Sequence, residues 1–226
     1  MTMKVKLISY SKGEKDESLQ DIIAYCARVS NPSNQDNTET QERLLRYLIR
    51  EKHWSPFEMV SACLEIETTR DIARQLLRHR SFSFQEFSQR YADPTSDLEF
   101  TLRQARLQDN KNRQNSIELS DMMDSDERAD LELIWLQQQA EVINKSKESY
   151  KWAIENGIAK EQARSVLPEG ITNSRLYVNG TIRSWIHYVE LRSGHGTQKE
   201  HKELALECGK ALEPIFPMIS EFYALQ

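Results

Sequence analysis

Cysteine is scarce: Cys26, Cys63 and Cys208 are the three in 226 residues, an odd number at wide spacing, and they build no disulfide framework. No CxxC pair occurs, and none of the five histidines stands in an HExxH arrangement or beside paired cysteines. No metal site is therefore expected. Unpaired thiols suit a reducing compartment, so a cytoplasmic location is expected. Long apolar runs are missing too, and nothing approaches the roughly twenty consecutive apolar residues of a membrane span. The opening segment MTMKVKLISYS has no apolar stretch followed by a small-residue cleavage site; its alternation reads as a first strand, not a signal peptide. A basic excess is also absent, with 30 Lys and Arg against 35 Asp and Glu for a formal net charge of −5. A protein that wraps duplex nucleic acid by neutralising phosphates carries a clear positive balance. Neither nucleic acid nor a membrane is an expected partner, and positive potential must be local, which suits a small anionic ligand.

What is present suffices for one core: 38% of residues are hydrophobic and 29% charged. Residues 4–10 read as a strand, 17–29 as a helix stopped by Ser30-Asn31-Pro32, and Thr38 as the cap of a helix ending near Lys52. His53-Trp54-Ser55-Pro56 reads as a connector and 59–68 as a half-buried strand with Ala62, Leu64 and Ile66 inward. A helix follows over 70–79. Residues 93–130 are polar, with the run Gln108 to Asn115, and read as a long loop or variable excursion. A long helix over 126–156 places Leu131, Ile134, Trp135, Val142, Tyr150 and Ala153 near one stripe, and Gly157 ends it. A short helix over 159–167 stops at Pro168. A strand over 175–179, a helix over 182–192 and a last helix over 199–212 complete the chain. With no repeat and no linker, the reading is one α+β domain over 1–226, with a mixed or antiparallel sheet and several long helices.

Chemistry concentrates in two stretches. In the helix 70–79, Ile72, Ala73, Leu76 and Leu77 form the inner stripe, while Asp71, Arg74, Gln75 and Arg78 share a polar face. The chain then reads Arg78-His79-Arg80-Ser81-Phe82-Ser83-Phe84-Gln85-Glu86-Phe87-Ser88-Gln89-Arg90. If 86–90 is extended, Glu86, Ser88 and Arg90 point one way. Guanidinium forks suit phosphate oxygens and carbonyl edges because they offer several donors in fixed geometry and never lose charge. A lone Arg-His-Arg would read as a solvated helix end; the serines at fixed offsets and the returning Arg90 weigh against that. In the second stretch, Arg164 precedes Leu167-Pro168, and Arg183 and His187 share the outer face of the helix 182–192. Arg192 falls near its apolar side, where it must snorkel, pair or meet a ligand.

These residues resemble the flavin-dependent thymidylate synthase family. Arg78-His79-Arg80 followed by Ser83, Glu86, Ser88 and Arg90 reproduces the family signature. Ala27-Arg28-Val29-Ser30, His53-Trp-Ser-Pro-Phe-Glu58, Arg164-Ser-Val-Leu-Pro168 and Asn179-Gly-Thr-Ile-Arg183-Ser-Trp-Ile-His187 leading to Leu191-Arg192 extend the likeness over nearly the whole chain. Departures are Gln85, where many members carry asparagine, Met59 in place of a frequent histidine, and Thr181 and His187 where others have asparagines. The resemblance implies an α+β homotetramer with active sites shared between protomers. It implies FAD contacts from Ser30, His53, Ser55, Glu58, Arg78, His79, Arg80, Glu86, Thr181, Arg183 and His187. It implies contacts to dUMP from Gln75, Arg78, Glu86, Ser88, Gln89, Arg90, Arg164 and Arg192, with Arg164 reaching a neighbour's site. Arg192, Ser88 and Arg78 are the candidate catalytic residues.

The activity so implied is reductive methylation of dUMP to dTMP, with methylenetetrahydrofolate as one-carbon donor and NADPH-reduced FAD as hydride source. No cysteine looks suited to attack the pyrimidine: Cys26 and Cys208 fall on apolar helix faces, and Cys63 has no basic neighbour in its strand. Arg192 is assigned to the pyrimidine, and Ser88 and Arg90 to the phosphate end. Two other readings remain at this stage: a flavin-dependent uracil methyltransferase acting on RNA, and a non-catalytic nucleotide-binding module.

Overall fold

The computed structural model describes residues 3–223; residues 1, 2 and 224–226 of the expected 1–226 domain lie outside them. Alternating side chains build the centre. In β2 (Ser61–Thr69), Ala62, Leu64 and Ile66 point inward and are fully buried, as are Leu176 and Val178 of β6 (Asn173–Thr181). These two strands pair antiparallel with Leu64 opposite Val178. β1 (Lys4–Tyr10) adds to the outer edge of β2 with an irregularity between Leu7 and Ser9, and β3 (Ser83–Glu86) adds to β6. The sheet order is β1-β2-β6-β3, antiparallel throughout. The opposite face of the sheet is polar: Glu67 takes Arg175 and Lys4, and Glu65 accepts from the Tyr177 hydroxyl at 2.6 Å.

Helices cover the inner face. α1 (Leu19–Ala27) starts at a capping box in which Ser18 and Asp21 satisfy each other's backbone N–H groups. α2 (Gln41–Arg50) starts later than expected: Thr40 holds the cap position, Thr38 contributes its carbonyl to Gln41, and no side chain caps the helix. α3 (Arg70–Leu76), α7 (Ile182–Ser193) and α8 (Lys199–Leu212) enclose the core, where Trp185, Tyr188, Phe57 and Phe216 are its largest buried side chains. The indole N–H of Trp185 donates to the carbonyl of Ala62 at 3.0 Å, which ties α7 to the sheet.

The polar stretch 93–130, expected as a loop, carries elements of its own. They are the short α4 (Pro94–Asp97) and a hairpin of β4 (Arg106–Gln108) and β5 (Ser116–Glu118), whose turn is the run from Gln108 to Asn115. Asp109 organises that turn by accepting from the backbone of Lys111 and Asn112 and from the Asn115 amide.

α5 (Ser125–Glu155) is 31 residues long, about 46 Å at 1.5 Å per residue. Asp124 caps it, and Gly157, at φ 77°, follows its end. The expected stripe is only half right. Tyr150 and Ala153 are buried, but Ile134, Trp135 and Val142 are 55%, 42% and 49% exposed. The buried line is instead Gln139, Ile143, Ser146, Tyr150 and Ala153. Polarity misled here, because Gln139 is buried by two hydrogen bonds to the backbone of Arg103, each 2.8 Å. α6 (Lys160–Ala163) runs into a 3-10 turn over Arg164–Val166. No helix among the described residues is long and apolar enough to cross a membrane.

Candidate functional site

α3 stops at Leu76, three residues before the expected end. Arg78 N–H turns back to the carbonyl of Gln75 and His79 N–H to that of Leu76, the tighter hydrogen bonding common at helix ends. The Arg78-His79-Arg80 triplet therefore sits on the α3–β3 turn, and that turn lies along α7. Ser184 Oγ donates to the carbonyl of Ser81 at 3.3 Å, and the Phe82 ring packs 4.5 Å from Trp185. His79 faces Tyr188 edge-on at 5.0 Å. Phe82 fits this closely because Gly180 has no Cβ; one there would stand 2.2 Å from Phe82 Cδ1.

At the far end of α7, Arg192 pairs: its Nε donates to His79 Nε2 at 3.0 Å. Burial and the charge of Arg192 lower the His79 pKa to about 4, so the ring is neutral and free to accept. The other guanidinium nitrogens of Arg192 have no hydrogen-bond partner among the described residues. Arg78 and Arg80 are exposed and pair with no carboxylate among the described residues.

Gln75 belongs to the same neighbourhood. Its Oε1 lies 3.1 Å from His201 Nδ1, and its Nε2 donates to Gln198 Oε1 at 2.8 Å. Neither partner was expected from sequence. His201 is fully buried, and its pKa falls to about 3 through burial and the charge of Arg192. The signal was available: stepping back three and four residues from buried Leu204 on α8 gives His201 and Glu200.

Glu86, at the end of β3, holds a second cluster. It accepts from Ser174 Oγ at 2.8 Å and from Arg70 at 3.4 Å, with Arg74 at 3.9 Å. The expected alternation of Glu86, Ser88 and Arg90 does not occur. After Phe87 N–H bonds the carbonyl of Arg175, the chain turns, and the Ser88 carbonyl accepts from Tyr91 and Ala92. Ser88 Oγ faces the N–H of Arg90 at 3.4 Å, a local turn contact. Arg90 instead reaches Glu161 at 3.6 Å, and Arg164 donates to the Glu161 carbonyl at 3.3 Å. Glu161 of α6 is thus contacted by both, through its carboxylate by Arg90 and through its carbonyl by Arg164. Gln89 is 4% exposed and its Nε2 has no partner among the described residues.

A third group lies at the start of α7. Arg183 pairs with Glu58, and His187 stands edge-on to Trp54 at 4.8 Å. His53 is exposed, with its ring 6.1 Å from Tyr47. Ser30 and Ser55 are exposed. The Thr181 hydroxyl is engaged as the cap of α7, accepting from Ser184 N–H at 3.2 Å. Arg183 and Arg192 are nine residues apart on this helix, about 14 Å along its axis.

Burial raises the Cys63 thiol and pushes that of Cys208 well up, so both are protonated at neutral pH. Among the described residues no three His, Cys, Asp or Glu side chains are grouped to hold a metal ion.

Comparison with known proteins agrees over nearly the full length. Residues 6–218 match the family model described as thymidylate synthase complementing protein. A probable flavin-dependent thymidylate synthase of Paramecium bursaria Chlorella virus 1 is 49% identical over 221 residues, covering 97% of this chain and 98% of the relative. A flavin-dependent thymidylate synthase of Synechocystis is 49% identical over 224 residues, covering 96% and 98%. Among solved structures, the UMP/dUMP methylase PolB of Streptomyces cacaoi, bound with 5-Br dUMP, matches with a TM-score of 0.79 at 24% identity, covering 99% of this chain and 95% of that one. At that identity the likeness concerns the fold.

Proposed function

Because the chain belongs to the thymidylate synthase complementing protein family, we propose that it is a flavin-dependent thymidylate synthase, a methyltransferase converting dUMP to dTMP. Methylenetetrahydrofolate is the one-carbon donor and NADPH the reductant, in the cytoplasm. Bound FAD supplies the hydride that completes the methyl group. The observation that carries this reading is the Arg192–His79 hydrogen bond, which brings the last arginine of α7 onto the Arg-His-Arg turn with the rest of its guanidinium unengaged.

The donor set fits a flavin dinucleotide. Arg78 and Arg80 offer exposed cations without carboxylate partners among the described residues, which suits a pyrophosphate. Arg183, Glu58, His53, His187, Ser30 and Ser55 supply polar groups at the start of α7, where they hold the cofactor. On the nucleotide side, Arg192 hydrogen-bonds the pyrimidine and favours electron density moving toward its carbonyl oxygens. Neutral His79 fixes the guanidinium by accepting from Nε. Arg90, Arg164 and the turn at Ser88 bind the phosphate, and Glu86, Gln75 and buried Gln89 position the remainder. Ser88 acts by binding; no histidine contacts its hydroxyl among the described residues. Cys63 and Cys208, both protonated, offer no thiolate nucleophile, in keeping with a flavin route.

Within one chain Arg183 and Arg192 stand about 14 Å apart along α7. Large apolar side chains of α5, Trp152 among them at 62% exposure, face outward. Both features support a homotetramer whose sites combine protomers. The test is an absorption spectrum of the protein after FAD loading and removal of free cofactor, then dUMP addition, then dTMP formation from free dUMP. A retained flavin band that shifts with dUMP is the expected result. No retained flavin and no effect of dUMP would overturn the assignment.

A further inference from the structure

Hydrogen bonds around Gln75 run in one direction, and a buried carboxylate sets it. Glu200, 7% exposed, receives Arg106 on Oε1 and Arg103 on Oε2, the latter at 3.0 Å. Burial by itself would raise its pKa; the hydrogen bond from Arg106 and the charge of Arg103 outweigh it and hold the group at about 2. An ionised carboxylate only accepts. Gln198 Nε2, 3.0 Å from Glu200 Oε2, must therefore be the donor, so Gln198 turns its Oε1 toward Gln75. Gln75 must then donate from Nε2 and turn Oε1 toward His201, which must carry its proton on Nδ1. The remaining nitrogen of His201 is a buried lone pair with no partner among the described residues. Every amide orientation and the tautomer follow from one charge at the end of the line. Donors and acceptors aligned in this way also polarise one another.

We infer that Glu200 is a positioning residue for nucleotide binding: acting through Gln198, it locks the direction of the Gln75 carboxamide. This rests on the proposal that Gln75 contacts dUMP. The locked amide keeps one N–H hydrogen and one oxygen lone pair at set places. Phosphate and uracil carbonyl oxygens are acceptors, so a flipped amide would set oxygen against oxygen where an N–H belongs. With a neutral amide at position 200, the line can also run in reverse, with Gln75 donating to His201 Nδ1 and its oxygen facing Gln198, at the cost of a buried His201 Nε2–H without a partner among the described residues. The charge at position 200 would then no longer select the direction that suits the ligand. The carboxylate reaches this role through the hairpin region, because Arg103 and Arg106 both come from the polar stretch 93–130.

The experiment titrates dUMP by calorimetry into the FAD-loaded wild type and into Glu200→Gln, Gln198→Leu and Gln75→Leu proteins, recording flavin retention and thermal midpoint for each. Expected is a dUMP Kd raised about three- to tenfold in Glu200→Gln, the size of one net hydrogen bond. Flavin retention should be unchanged and kcat nearly so. Gln198→Leu leaves Glu200 and its arginines in place and should raise Kd alike; it carries the test if Glu200→Gln does not fold. On the Gln75→Leu background the Gln198→Leu change should add nothing to Kd. Unchanged dUMP affinity in both single variants would overturn the inference while leaving the enzyme assignment intact. So would an effect of equal size in the absence of the Gln75 amide, which marks a general structural role. A wild type that binds neither FAD nor dUMP would overturn both.

Discussion

Arg192 donates through Nε to His79 Nε2 at 3.0 Å, joining the end of α7 to a turn 113 residues earlier in the chain. The contact requires a neutral imidazole, and a second neutral imidazole, His201, lies behind it with ring centroids 6.4 Å apart. Both pKa values are depressed, to about 4 and about 3. The folded protein then binds fewer protons than the unfolded chain over the acidic range. The contribution of each ring is whole above about pH 6.5 and is lost as pH falls toward the folded values. Between pH 6.5 and 5, fully buried His201 alone is expected to account for a loss on the order of 2 kcal/mol. Urea denaturation at pH 7 and pH 5 should show it, and His201→Asn should flatten the dependence. An equally steep profile in that variant would contradict the assignment.

Gly180→Ala should destabilise the protein and loosen the Arg-His-Arg turn together. The added Cβ meets the Phe82 ring, which is 7% exposed and held against Trp185, so neither partner can move aside easily. Overpacking of this kind costs about 1–3 kcal/mol. The thermal midpoint and FAD retention should fall in parallel, and Phe82→Leu in the same chain should recover part of both. A midpoint unchanged from wild type would show that the turn can shift freely.

Arg103→Ala should be severe although the residue lies in the most polar part of the sequence. Its guanidinium, 13% exposed, bonds Asp71, Thr69 and Glu200 at once. Removing one partner from a buried ion cluster costs about 3–5 kcal/mol. Urea midpoints measure it, and a change near zero would mean that the hairpin region is an appendage.

Removing every thiol should leave the chemistry in place. Cys26→Ser, Cys63→Ser and Cys208→Ala combined are expected to keep most of the dTMP-forming turnover, and Ser88→Ala likewise. Loss of activity to background with the flavin still bound would restore a nucleophile to the mechanism.

Much of this arrangement was legible in the sequence. The limits of β1 and α8 coincide with those read from alternation and helical spacing, because each carries a clean apolar stripe against one core. Arg192 was placed near an apolar helix face, where it had to snorkel, pair or meet a ligand, and it pairs with His79. What was not legible depends on polar groups meeting across the fold. Gln139 is buried only because backbone groups of Arg103 receive it, and the helical spacing that puts Glu200 and His201 on the side of Leu204 is masked by their Lys-Glu-His-Lys-Glu run, while their polar partners come from distant segments. The extended reading of Glu86 to Arg90 failed because, after Phe87 bonds the Arg175 carbonyl, the chain leaves β6 and the Ser88 carbonyl takes the N–H groups of Tyr91 and Ala92 in a local turn.

The strand order β1-β2-β6-β3 also has a temporal meaning. β6 lies at the centre, between β2 and β3, yet it is the last strand to leave the ribosome; Glu65 and its sheet partner Tyr177 are 112 residues apart. Until β6 emerges, β2 has a neighbour on one edge only and β3 has none in this sheet. The nascent chain must carry those open edges while the long stretch between β3 and β6 is made. Late central closure predicts slow folding limited by one long-range pairing and a need for protection from aggregation before it. A chain stopped before Asn173 should be insoluble, whereas one missing an outer strand should fare better.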